Sequence, residues 1–182
     1  MVAIDRDARR FKLDKEFKEV MLTFRERMDI ADFDLQTFAS TQLSSHKNFQ
    51  LIAIAKHLCG GATDLALTSM SLQDKKKTLV VCIATCCHQC CDARTYVNMP
   101  YLKTLLLTEE DIEIMPRFSS WAICLQVKAQ MRRVGFKVKR ILDFGRCLFI
   151  EDKLEMEVTP YQYCDPLKES PENILLLATK KK

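Results

Sequence analysis

The sequence predicts an α/β fold, a mostly parallel sheet with one antiparallel strand at its end. Three observations point there. Short apolar runs recur at Val2-Ala3-Ile4, Leu51 to Ala55 and Leu79 to Ala84, and each ends in a polar cluster. The runs are continuous rather than alternating, which suits strands covered on both faces. Helical patterns lie between them, and such alternation implies parallel strands joined by right-handed crossovers.

In chain order, Val2-Ala3-Ile4 forms the first strand and closes at Asp5-Arg6. Lys12 to Met21 is charged and amphipathic, with Phe17, Val20 and Met21 as its apolar side. A weaker strand is expected over Arg25 to Ile30. Leu51 to Ala55 is a strand that ends at Lys56-His57. Thr63 is a plausible N-cap for a helix through Leu65, Leu67 and Met70. Leu79 to Ala84 is a strand that ends at Thr85-Cys86-Cys87-His88. Lys139 to Asp152 carries Ile141, Leu142, Leu148 and Phe149 at helical spacing. Two extended segments close the chain, Glu155 to Tyr163 and Ile174 to Ala178, with Asp165-Pro166 and Ser170-Pro171 in the turn between them. Their short connection makes the last strand antiparallel. The arrangement fits the nucleoside-cofactor methyltransferase variant of the doubly wound fold.

The chain has 182 residues, which suits one domain, with 48% hydrophobic and 29% charged residues. A net charge of +4 is compatible with an RNA partner without demanding one. No apolar run approaches the roughly 18 residues of a membrane span. The opening Met1-Val2-Ala3-Ile4-Asp5-Arg6 is not a secretory leader. Nine cysteines, with adjacent pairs at Cys86-Cys87 and Cys90-Cys91, make a poor disulfide framework. Free thiols in a reducing compartment, cytoplasm or nucleus, are expected.

In open α/β sheets the ligand sits beyond the carboxyl ends of the strands, and the unusual residues concentrate there. Asp5 can accept hydrogen bonds from both hydroxyls of a ribose, or serve as a cap or surface ion pair. Asp29 can meet an adenine amino group, or be a turn aspartate. Lys56 and His57 bring a cation and a near-neutral base to the sheet mouth. Gly60 and Gly61 behind them permit close backbone approach. Cys87 and Cys90 form a C-x-x-C pair with His88 beside it. No second pair follows downstream, so small thiols lining a substrate pocket are the preferred reading over bound metal. His46 is read as solvated. Trp121 is read as a packing anchor rather than a stacking surface for RNA.

Several blocks together carry a family resemblance. They are Ile4-Asp5-Arg6, Arg10 to Asp14, Lys56 to Gly60 with Ala62 to Leu65, Cys86-Cys87-His88 with Tyr96-Val97, Arg117 to Ala122, Asp143 to Arg146, and Asp165-Pro166 with Glu172-Asn173. In this order the sequence resembles the eukaryotic tRNA 2′-O-methyltransferases that act on the fourth nucleotide of the acceptor stem, the tRNA:m(4)X modification enzymes. The resemblance implies a Rossmann-like class I methyltransferase domain over residues 1–182. It implies S-adenosyl-L-methionine as donor, a tRNA ribose 2′-hydroxyl as acceptor, and neither DNA nor a membrane as partner. Asp5, Arg6, Asp29, Ile30, Cys59 and Gly60 are expected at the cofactor, and Asp64, Cys86 and Cys87 at the substrate pocket. His57 is the first choice of general base, Lys56 its neighbour in the site, and His88 the alternative base. No residue is assigned to a resident metal.

The sequence departs from the family pattern in two ways. The family's first strand, its glycine-rich loop and its N-terminal zinc-binding modules are not found before Met1. The chain alone is therefore expected to bind cofactor poorly. The family's second histidine and its arginine after Cys86-Cys87-His88 are replaced by Gln89 and Cys90. A catalytically inactive remnant and a zinc-binding RNA-interaction module are the rival readings.

Overall fold

A computed structural model describes residues 1–7, 21–42 and 49–181. Most of the helix expected over Lys12 to Met21, the Arg10 to Asp14 block and the His46 loop lie outside the described residues.

The fold is α/β with two sheets. Strands β1 (Val2–Ile4) and β2 (Phe24–Glu26) pair in parallel. A four-stranded sheet contains β3 (Leu51–Cys59), β4 (Thr78–Cys86), β5 (Met156–Gln162) and β6 (Ile174–Lys180) in the order β3-β4-β6-β5. β3 and β4 are parallel, and β6 is antiparallel to both β4 and β5. Three strands therefore share one direction and the last in sequence is reversed.

The helices are α1 (Leu35–Gln42), α2 (Gly61–Ser71), α3 (Met99–Thr104), α4 (Glu109–Phe118), α5 (Ser120–Ile123) and α6 (Ala129–Lys153). Single 3₁₀ turns lie at Ile30–Asp32 and His88–Cys90. The expected strand over Arg25 to Ile30 is shorter than anticipated, because Asp29 accepts from the Ala31 amide at 3.1 Å and starts a turn. Thr63 does not cap α2. Gly60 does, while the Thr63 hydroxyl donates to the Leu58 carbonyl at 2.7 Å.

The main core lies on one face of the larger sheet. Leu67 of α2, Ile150 of α6 and Leu154 just past its end pack on Val81, Ile83, Leu176 and Ala178. The continuous apolar run of β3 is not covered on both faces as expected. Among the described residues its outer side chains Ile52 and Ile54 remain 58% and 78% exposed. Ala53 and Ala55, level with Val81 and Ile83, face the core side. The small sheet joins this body where the Ile30–Asp32 turn meets α2 and the Ser69 hydroxyl donates to the Phe33 carbonyl at 3.1 Å.

α6 is the longest element and crosses α5 closely. A Cβ on Gly135 would stand 2.4 Å from the Ala122 nitrogen and 3.0 Å from the Phe118 carbonyl oxygen. Helix propensity alone favours alanine at a helix interior by up to about 1 kcal/mol. The backbone contact reverses the sign. Gly135→Ala is expected to destabilise the fold by about 1–3 kcal/mol in urea denaturation. A variant as stable as the parent, or more so, would show that this crossing has room to spare.

Candidate functional site

The site is built where β3 and β4 end side by side. Lys56 pairs with Ala84 and Leu58 with Thr85, so His57 is an extra residue, a one-residue β-bulge. Its backbone is left-handed at φ 63°, a region that residues other than glycine seldom adopt. Both Lys56 and His57 are exposed at this rim. The strand does not stop at the polar pair, as the sequence suggested. The bulge lets it run on to Cys59, level with Cys86.

Beyond Cys59 the chain turns at Gly60. Its φ is 54°, and a Cβ there would lie 2.5 Å from the Cys90 carbonyl carbon, so only glycine fits. Its amide donates to the Cys86 carbonyl at 3.2 Å, tying the two strand ends together. Across from it, Cys87 also adopts a left-handed backbone, and the Glu172 carboxylate accepts its amide at 3.1 Å. The Cys86 and Cys59 sulfurs are 3.9 Å apart. Burial, with the neighbouring thiols adding to it, pushes Cys86 far above the ordinary thiol range and Cys87 up to about 11.

Beneath this rim lies a buried polar chain. Arg146 grips Asp64 through two bonds, Nε to Oδ1 at 3.1 Å and Nη2 to Oδ2 at 2.7 Å. Both side chains are 0% exposed. The same guanidinium donates to Gly60 O at 3.1 Å and to Asp143 Oδ1 at 3.2 Å. Asp143 in turn holds His88 Nε2 at 2.7 Å and accepts from the Thr85 hydroxyl at 3.1 Å. Lys139 Nζ donates to Glu172 Oε2 at 2.6 Å, and that oxygen lies 3.9 Å from His88 Nδ1. Burial alone would raise Asp143, but His88, Arg146 and Arg140 outweigh it and hold the carboxyl below its usual range.

The structure thus brings Lys56, His57, Cys59, Gly60, Cys86 and Cys87 to one rim. It separates Asp64 and His88 from that rim. Asp64 is sealed against Arg146, and the His88 ring is buried against Asp143. Asp64 is expected at the substrate pocket from the sequence; in the fold it is fully buried, a buried acid needs a cation, and Arg146 supplies it. Asp5 follows β1 in the small sheet, where its Oδ1 accepts from the Asp7 amide at 2.9 Å. Arg6 and Asp29 form a surface ion pair at 3.3 Å, and Ile30 opens the adjoining 3₁₀ turn. Trp121 lies against Phe118 with ring centroids 4.7 Å apart, in keeping with a packing role.

Sequence reasoning missed Lys139, Asp143, Arg146 and Glu172 as parts of this assembly. A signal was present. Lys139, Asp143 and Arg146 recur at four- and three-residue spacing, one stripe of a helix, interleaved with the apolar positions Val138, Leu142 and Ile150.

Comparison with known proteins adds a family. A model of the family "Methyltransferase TRM13" matches residues 1–133. The chain is similar to "tRNA:m(4)X modification enzyme TRM13" of Kluyveromyces lactis, 30% identical over 98% of the chain and 46% of that protein. It is 28% identical to the Vanderwaltozyma polyspora protein of the same name, over 99% of the chain and 49% of that protein. The Homo sapiens homolog is 26% identical over 76% of the chain and 37% of that protein. The chain spans about half the length of the curated relatives it matches first. No solved structure matches it.

Removing the central cation should be costly. Arg146→Met leaves the buried Asp64 carboxylate without its cation and takes one partner from Asp143, and is expected to lose about 3–5 kcal/mol in denaturant melts. A loss under about 1 kcal/mol would mean that these acids find other partners. The pH dependence has a defined sign. A carboxyl depressed in the native state contributes stability above the ordinary carboxylate range, lost as pH falls through its lower native value. The stability gap between the parent and Asp143→Asn should therefore close as acid is added. A gap independent of pH would sink this assignment.

Proposed function

The chain belongs to the TRM13 methyltransferase family, and on that premise we propose that it serves tRNA 2′-O-methylation, with S-adenosyl-L-methionine as the methyl donor. The observation that carries the reading is the meeting of Lys56-His57 with Cys86-Cys87 at the carboxyl ends of two parallel strands, where open α/β sheets take their ligands. A Rossmann-like class I arrangement is the fold that goes with it. In support, three of the four strands of the larger sheet run one way and the last is reversed.

The donor-binding residues fit the chemistry of a nucleoside. Asp5 directly follows β1 and Asp29 lies three residues beyond β2 in the small sheet, and carboxylates at such strand ends can accept from ribose hydroxyls or an adenine amino group. Arg6 and Ile30 adjoin them, and Cys59 and Gly60 lie at the rim of the larger sheet. When bound, the cofactor supplies an electrophilic methyl group. The protein's part is to align the acceptor hydroxyl and take its proton.

His57 is the first choice for the proton. Its imidazole is exposed, and the bulge aims a residue that a regular ladder would have spent on pairing. Lys56, exposed on the residue before, is placed to orient the hydroxyl or offset its developing charge. His88 in this arrangement supports the rim from beneath, because Asp143 already occupies its Nε2. Cys86 and Cys87 line the acceptor side.

Replacing His57 with alanine is expected to lower single-turnover methylation of an unmodified tRNA transcript by about 10²–10⁴-fold. Donor affinity, read by calorimetry, should change little. An unaltered single-turnover rate would remove His57 from the role. His88→Ala, by contrast, should act mainly through stability, seen as a lowered midpoint in denaturant.

A further inference from the structure

The thiols at the rim form a closer group than the C-x-x-C spacing suggested. The sulfurs of Cys59, Cys86 and Cys87 all lie within 4.8 Å of one another. They come from the ends of two adjacent strands rather than from one loop, and Cys90, the other half of the C-x-x-C, is not among them.

We propose that Cys59, Cys86 and Cys87 constitute a zinc site, three thiolates with a fourth position open to solvent. Zinc–sulfur bonds of about 2.3 Å in tetrahedral array set sulfur–sulfur separations of roughly 3.8 Å. The Cys59–Cys86 separation is already 3.9 Å. Two backbone devices produce the convergence. Along β3 the pairing runs Ile54 to Cys82 and Lys56 to Ala84. Continued unbroken, it would set Cys59 beyond the end of β4. The His57 bulge shifts the register by one residue and sets Cys59 opposite Cys86. The left-handed Cys87, its amide held by Glu172, then turns the third thiol back to the first two.

The flanking groups are tied together by hydrogen bonds of the kind that orient metal ligands. Glu172, which fixes Cys87, is itself held by Lys139. Cys59 is exposed while Cys86 is buried, so the thiol group spans from the interior to the surface and a metal can reach it from solvent. Soft thiolates select zinc or copper(I) over hard cations. The balance for zinc is three thiols plus one Zn²⁺ giving one bound trithiolate complex and three protons, which pass to buffer.

The test needs neither tRNA nor methyl donor, so it succeeds or fails independently of the methyltransferase reading. The reduced, chelator-stripped chain is titrated with Zn²⁺ against a chromophoric competitor, and with Co²⁺ to read thiolate-to-metal charge-transfer bands. One metal per chain is expected, with proton release and an affinity that climbs with pH. Cys59→Ser changes an exposed side chain, and circular dichroism reports whether that variant stays folded. It should weaken binding about 100-fold or more and reduce the charge-transfer intensity. Cys90→Ser and Cys124→Ser should leave both unchanged. Loss in Cys90→Ser equal to that in Cys59→Ser would overturn the site in favour of the C-x-x-C pair. Equal affinity in the parent and Cys59→Ser, or a Cys59–Cys86 disulfide with no zinc affinity, would overturn it altogether.

Discussion

The bidentate grip of Arg146 on Asp64 is the constraint from which the rest of the site follows. Neither group can sit dry alone. Their pairing draws α6 against the start of α2, and the remaining guanidinium protons reach the Gly60 carbonyl and Asp143. Asp143 then fixes Thr85 and His88 at the end of β4. One cation in the middle of a helix therefore orders the ends of both strands. A buried ion cluster is weak evidence for stability as such, since an apolar replacement of the whole set is often as stable. Its value here is positional: every member points at a particular backbone or side-chain atom under the rim.

The strands were largely legible in the sequence and their ends were not. Val2 to Ile4, the run before Lys56 and the run before Thr85 all form strands as their composition indicates. Polarity marked Lys56 and His57 as a terminus, yet β3 continues through them. An edge strand with one open face carries polar side chains without penalty, and nothing in composition announces a bulge. The two outward isoleucines were read as buried for the converse reason: a continuous apolar run looks the same whether or not its second face is covered.

The helices show which signals are strong. The 25-residue α6 was only half seen, because its first part is basic and interrupted by Gly135. Its buried charges were invisible to an apolar count, although their spacing was regular. α4 went unread despite a capping box in which Thr108 and Asp111 satisfy each other's backbone amides. Asp64 and His88 stand out in the sequence for their chemistry, and in the fold both are buried in ion pairs beneath the rim. Residue type alone does not separate a catalytic group from the one that holds it in place.

The sheet order has a consequence for how the chain is made. Asp64 and Arg146 stand 82 positions apart, and β6, the strand between β4 and β5, is the last in sequence. At synthesis rates of about 5–20 residues per second, Asp64 leaves the ribosome roughly 4–16 s before its partner. Over that interval the β3–α2 unit carries a hydrated acid where its interior belongs and an unpaired edge on β4. The β3–α2 unit therefore waits on partners far along the chain, and its closure comes only once α6 and β6 have been made.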